Sequence, residues 1–245
     1  MAFQAEVMTA KPAQHHSRGE RIFYACMASA ILLTMIAGFG RTYYWRALKE
    51  AHPFSAIVHI HASVFTGWVL LFFAQTTLVA AGRTDLHRRL GIAGGLLAGL
   101  MIILGPVAAV YGARHGHNPG GPYPDALGFL VVGLTDILLF SGFVVAGLYQ
   151  RRRRELHKRL MLLATIGGLL WPAITRLPYV RGQFLPMFGL LVLFVLAGPS
   201  YDLITRRRVH AVYVWGGLLI LASFPIRRAI GTSETWHRIA AWMIG

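Results

Sequence analysis

Acidic residues are scarce in this chain, with nine Asp and Glu against 24 Lys and Arg among 245 residues. Charged residues of both signs make up only 13%, about half the share a soluble globular domain carries. Hydrophobic residues reach 56%, and mean hydropathy is +0.54. This combination excludes a disordered chain and an ordinary soluble enzyme domain. Cys26 is the only cysteine, which excludes an intrachain disulfide and a multi-cysteine metal site. Lysine occurs only as Lys11, Lys49 and Lys158, none of them in the middle of an apolar run. A retinal protein needs a Schiff-base lysine there, so seven apolar segments do not indicate one. No phosphate loop, catalytic triad or paired-carboxylate signature is present.

What is present is a series of apolar runs. Seven segments meet or approach the length of about 20 residues that a spanning helix needs. They cover residues 22–40, 54–81, 90–112, 127–149, 159–177, 184–204 and 210–230. Helices satisfy their own backbone bonds, and these runs are too long for barrel strands. The expected fold is therefore all-α, a polytopic membrane protein with seven transmembrane helices. Residues 1–21 read as a polar tail, 22–230 as the helical domain and 231–245 as a C-terminal segment. The first span lacks a small-x-small cleavage site before Arg41 and reads as a signal anchor. The Gly- and Pro-rich stretch His115 to Asp125 is the clearest break in the pattern.

Basic residues lie between the runs and not in one block. Fifteen fall on the side shared by residues 1–21, 82–89, 150–159 and 205–209, and nine on the other. The richer side is expected to be cytoplasmic, with the N-terminus inside and a bacterial inner membrane as the location. Orientation and anionic lipid account for this charge better than nucleic acid does. Tyr43, Tyr44, Trp45, Tyr123, Tyr179 and Trp236 then fall near the outer interface.

An internal repeat runs through the basic side. Asp85-Leu86-His87-Arg88-Arg89-Leu90 recurs 70 residues later as Glu155-Leu156-His157-Lys158-Arg159-Leu160. An acid at a helix start favours the positive helix end, and the following bases reach lipid phosphates. That reading needs no ligand. The other reading brings His87 and His157 together to hold a cofactor.

Polar groups inside apolar runs are default site candidates. Asp136 lies about ten residues, or roughly 15 Å, into the fourth run. Arg176 is its candidate partner, and Trp171-Pro172 marks a candidate kink beside it. His59 and His61 stand near the outer end of the second run, about 200° apart on a helix, so they are expected to face different ways. With His115, His117 and His52 they form a candidate outer site for copper or zinc. Gln75 is expected to bond a neighbouring helix, and Asp202 to pair with Arg206 to Arg208. Gly91, Gly95 and Gly99, with Gly94 and Ala98 on the adjacent stripe, are expected to bring helices close.

His87-Arg88-Arg89-Leu90-Gly91 and His157-Lys158-Arg159-Leu160-Met161 resemble the paired motifs of uncharacterised bacterial multi-pass proteins of the DUF2306 type. More distantly, they are similar to the cytochrome b561 and ferric reductase group. The second resemblance implies a four-helix core with b haems held by histidines on alternate helices. His87 and His157 match one such pair in sidedness and helix parity. A second pair would draw on His59 or His61, but the fourth run contains no histidine. Three functions follow in order of preference. The first is haem-binding or quinone-linked electron transfer, and the second an accessory subunit of a larger membrane complex. The third is a proton-coupled transporter using Asp136 and His61.

Overall fold

The computed structural model describes residues 18–50, 54–117 and 123–245, and among these the regular elements are all helical. The first helix, α1 (Arg18–Phe39), passes through a π-helical turn (Gly40–Tyr44) into α2 (Trp45–Lys49). Then come α3 (Ala56–Ala80), α4 (Thr84–Arg114) and α5 (Ala126–Tyr149). The next segment is broken into α6 (Arg154–Thr165), a π-helical turn (Ile166–Leu170) and α7 (Trp171–Ile174). The chain ends with α8 (Phe184–Arg206), α9 (Ala211–Gly231) and α10 (Glu234–Ile244).

Six of these stretches are long and apolar enough to cross a membrane: Arg18–Lys49, α3, α4, α5, α8 and α9. The protein is thus an all-helical membrane protein. The α6–α7 segment, expected as the fifth of seven spans, is not among the six. It is instead the hub of the bundle. Residues 162–170 are buried without exception, and Ala173 and Ile174 are fully buried. Each of the six apolar stretches is at most half buried inside the protein. The difference has a simple cause. A helix facing lipid must be apolar along its outer side, whereas one wrapped by other helices meets protein and tolerates Thr165, glycines and charged ends. Trp68 on α3 donates its Nε1–H to Thr165 Oγ1 at 3.3 Å.

The π-helical turn ahead of Pro172 also has a cause. Proline lacks an N–H and its ring clashes with the carbonyl four residues back. Winding the preceding turn more widely relieves both, and puts the break where Trp171-Pro172 predicted a kink.

Contacts between helix termini give the bundle two ends. At one end lie the starts of α1, α4, α6 and α9 with the ends of α3, α5 and α8. Arg21 of α1 reaches the Ala80 carbonyl of α3 there. This basic end carries the Arg-rich connections. At the opposite end helices meet through glycine. A Cβ on Gly38 would lie 2.2 Å from the Ala173 carbonyl oxygen, so only glycine lets α1 cross α7 this closely. A Cβ on Gly128 would lie 2.7 Å from the Gly231 oxygen.

The expected C-terminal segment is a helix in its own right. Ser233 caps α10 by accepting from Trp236 N–H at 3.2 Å, and Trp236 Nε1 donates to the Leu127 carbonyl at 2.8 Å. Ala240 is fully buried beside Ala113 and Leu130. The glycine stripes divide. Gly94 and Ala98 are buried, with Gly94 against Leu71 of α3, as expected for close packing. On the other stripe Gly91 lies against Gln75 of α3, whereas Gly95 and Gly99 meet nothing within 4 Å.

Candidate functional site

The repeat brings two histidines together. His87 in the first turn of α4 and His157 in the first turn of α6 have ring centroids 6.4 Å apart and planes at 80°. Both helices start at the basic end, and each places its histidine on the side facing the other. His157 Nδ1 bonds the Gly147 carbonyl at 2.8 Å, at the end of α5. His87 Nδ1 is buried without a partner. Gln75, expected to bond a neighbouring helix, lies against Gly91 of α4, but its side-chain Oε1 is buried and unpaired.

Beside this pair, the basic end holds a closed ionic cluster. Lys158 contacts Glu20 and Glu155. Arg159 bonds Asp202 through Nη2 at 2.6 Å and Nε at 3.2 Å, and Glu155 through Nη1 at 2.7 Å. Arg206 bonds Glu155 at 2.7 Å and Glu20 at 3.2 Å. The His210 N–H donates to Asp202 Oδ2 at 3.2 Å. Asp202 therefore pairs with Arg206, as expected, at 3.6 Å, and more tightly with Arg159. Three acids meet three bases, and the Tyr24 and Tyr213 hydroxyls meet at 2.9 Å above them. Arg159 is 1% exposed. Such a closed set satisfies its charges internally, so its role is to tie α1, α6, α8 and α9 together.

Asp136 is buried in α5, and its partner is Arg227 of α9 at 2.7 Å, not Arg176. Arg227 lies 3.7 Å from the Phe224 ring centroid and 5.9 Å from that of Trp171. Asp136 Oδ2 remains buried without a partner. Arg227 escaped the sequence reading because it sits four residues from the end of α9, where an arginine usually reaches lipid headgroups. Arg176 instead donates Nη1–H to the Pro172 carbonyl at 2.7 Å and lies 4.9 Å from the Phe39 ring centroid.

The outer histidines do not converge as a metal centre. His59 pairs with the Tyr43 hydroxyl at 3.0 Å, and His115 bonds the Tyr111 carbonyl at 2.8 Å. His61 stacks on Phe65 at 4.1 Å, so His59 and His61 face apart as their spacing required. His117 packs edge-on to Phe129, and His52 lies outside the described residues. Among the described residues, no three or more His, Cys, Asp or Glu side chains form a group fit for a metal ion. Imidazoles spread over the ends of α3 and α4 are held by separate aromatic and carbonyl partners, which a composition count does not reveal.

Comparison with protein-family models, with curated proteins and with solved structures finds no match to this chain.

Proposed function

We propose that this protein is a membrane electron-transfer protein in which His87 and His157 hold one b-type haem near the basic end. The observation that carries the reading is the His87–His157 pair itself. His157 has one nitrogen at a main-chain carbonyl, the usual way a ligand histidine is held in orientation. His87 Nδ1, buried and unpaired, is the kind of atom a ligand would satisfy. The spacing also suits a shared metal. Two metal–nitrogen bonds of about 2 Å and two ring radii of about 1.1 Å total roughly 6 Å, against 6.4 Å between the rings. Two side chains are too few for a bare zinc or copper site. They are enough for haem, whose macrocycle brings four nitrogens of its own.

Haem in such a site supplies one-electron transfer. The chain's residues hold and orient it: the Gly147 carbonyl fixes the His157 ring, and the ionic cluster keeps the start of α6 in place. We take α6–α7 as the seventh crossing, with the basic end on the cytoplasmic side of a bacterial inner membrane by the charge rule. Anionic lipid then borders Arg151 to Arg154 and Arg206 to Arg208.

The test is a dithionite-reduced minus oxidised visible spectrum of the full chain, purified in mild detergent after expression with added haem. The expected result is a b-type α-band that disappears in His87→Ala and in His157→Ala. A flat spectrum retires the reading.

One observation favours a second reading, an accessory subunit of a membrane complex. Gly95 and Gly99 present an open small-residue stripe on α4, of the type on which a helix from another chain packs. In a Cys26→Ser background, Gly95→Cys would cross-link to a neighbouring subunit in native membranes. Its failure to cross-link removes that support.

A further inference from the structure

Helix α10 has three sides, each a stripe at i, i+4 and i+7, the spacing that keeps side chains on one face. Trp236, Ala240 and Met243 face the bundle, where Ala240 is fully buried beside Ala113 and Leu130. Glu234, Arg238 and Ala241 are exposed along the second side. Thr235, Ile239 and Trp242 are exposed along the third, Ile239 at 47% and Trp242 at 81%. A helix packed on a protein in water has one apolar face and one polar face. The third side of α10 is a second apolar face turned away from the bundle.

The neighbours of α10 put it at the membrane boundary, at the end opposite the ionic cluster. Trp236 and His237 bond Leu127 and Asp125 at the entry of α5, and Ala240 lies beside Ala113 in the last turn of α4. With 11 residues, or about 16 Å, α10 is too short to cross a bilayer. Its far end reaches a surface that faces lipid. Ile103, Val107 and Arg114 lie on one exposed stripe of the spanning helix α4. A Cβ on Gly245, at the end of α10, would lie 3.3 Å from Arg114 Nη2. The polar side opens instead on a groove lined by Thr232, Glu234, His237 and Arg238.

We propose that α10 is an interfacial anchor, lying between lipid headgroups and acyl chains with Ile239 and Trp242 inserted among the lipid. A helix with one apolar and one charged flank lies in the interface plane with its apolar flank in the acyl boundary. Tryptophan suits that depth, because its ring is apolar and its Nε1–H bonds a headgroup or water. Glu234 and Arg238 stay on the aqueous side. They balance in charge, so the part of the lipid recognised is its acyl boundary and not an anionic headgroup. The inference is independent of the histidine pair, which lies at the other end of the bundle.

The test places single nitroxide labels on the full chain in phosphatidylcholine nanodiscs, in a Cys26→Ser background. Ile239→Cys and Trp242→Cys carry the label on the apolar side, and Glu234→Cys and Arg238→Cys on the polar side. Leu219→Cys, at an exposed position of the spanning helix α9, is the lipid reference. Collision with oxygen, which concentrates in lipid, is compared with collision with a water-soluble nickel chelate. The oxygen-to-nickel ratio is expected to be several-fold higher at Ile239 and Trp242 than at Glu234 and Arg238, approaching that at Leu219. All four α10 positions are exposed, and two on each side keep the test decisive if one variant does not fold. The proposal is overturned if the nickel chelate dominates at Ile239 and Trp242, since that side then faces water. It is overturned equally if both reagents are excluded there, which means that a second protein chain covers it. Equal ratios on the two sides overturn it as well, because α10 then lies wholly in lipid or wholly outside it.

Discussion

The two copies of the repeat carry almost the same residues and lead different lives. In the first, Asp85 and Arg89 are exposed, and Asp85 lies 3.7 Å from Arg83. In the second, Glu155 bonds Arg159 and Arg206, and Arg159 is sealed against Asp202. The first copy opens α4, at the rim of the bundle, and the second opens the hub helix. The same acid-His-base-base pattern is an interfacial helix start in one place and a structural keystone in the other. Only the histidines keep a shared setting, because their rings meet. The repeat therefore teaches that a motif fixes side-chain spacing, while the position of its helix fixes what those side chains are worth.

The largest expected effect follows from the buried member. Arg159→Met takes from buried Asp202 its closest cation, leaving it the looser Arg206 at 3.6 Å and the His210 N–H, and should cost about 3 kcal/mol, whereas Arg89→Met should change stability by no more than about 0.5 kcal/mol. Thermal unfolding of both variants in detergent checks this, and equal losses would break the comparison. Adding Asp202→Leu to Arg159→Met should recover much of the loss, because a buried pair is often replaceable by apolar groups.

Asp136 and Arg227 test whether burial or the motif sets that cost, since they are buried and lie outside the repeat. Arg227→Met should cost about 3 kcal/mol or more by leaving Asp136 unpaired. Asp136→Asn should cost less, because the amide oxygen still accepts from Arg227. A stability equal to wild type in Arg227→Met would mean that the motif, not burial, matters.

A smaller contrast comes from the two acids. Glu155→Gln should cost about 1–2 kcal/mol through weakened charged hydrogen bonds, and Asp85→Asn essentially nothing. Urea-free thermal scans of the pair resolve the difference.

The smallest effect concerns a histidine outside the repeat. His237 Nδ1 faces the Ser233 carbonyl at 2.9 Å and its Nε2 faces Asp125 at 3.2 Å. The Ser233 carbonyl, and then Asp125, hold its pKa above the usual histidine value despite some burial. A raised pKa in the folded state contributes stability that is fully present below the ordinary histidine pKa. That stability is lost as pH rises through the raised value. Amide exchange across α10, corrected for intrinsic rates, should be slower at pH 5.5 than at pH 8, and His237→Gln should flatten the difference. Identical protection at both pH values would count against it.

Much of the fold was legible before any coordinates. Long apolar runs limit a chain to helices in lipid, so the helical class and six of the seven expected spans follow from hydropathy. The Gly- and Pro-rich break and the winding near Pro172 follow from backbone chemistry. The site was legible only in part. The repeat pointed to His87 and His157 because identical spacing at equivalent helix starts puts side chains on equivalent faces. Asp136 was identifiable as a buried acid, but Arg227 was not identifiable as its partner. Which helix lies beside α5 depends on three-dimensional packing that no spacing in the sequence encodes.

The amino-acid sequence by itself determined the solvent of this protein, its helical class and the local geometry of each helix start. Composition and period are local quantities, and lipid leaves few ways to satisfy a backbone. The tertiary structure alone decided that the least apolar long segment, α6–α7, sits at the centre. It also decided that Arg159 is saturated by acids while Arg176 meets none among the described residues. Hydropathy measures what a side chain prefers to touch; which charge it meets is set by neighbours brought together from distant parts of the chain.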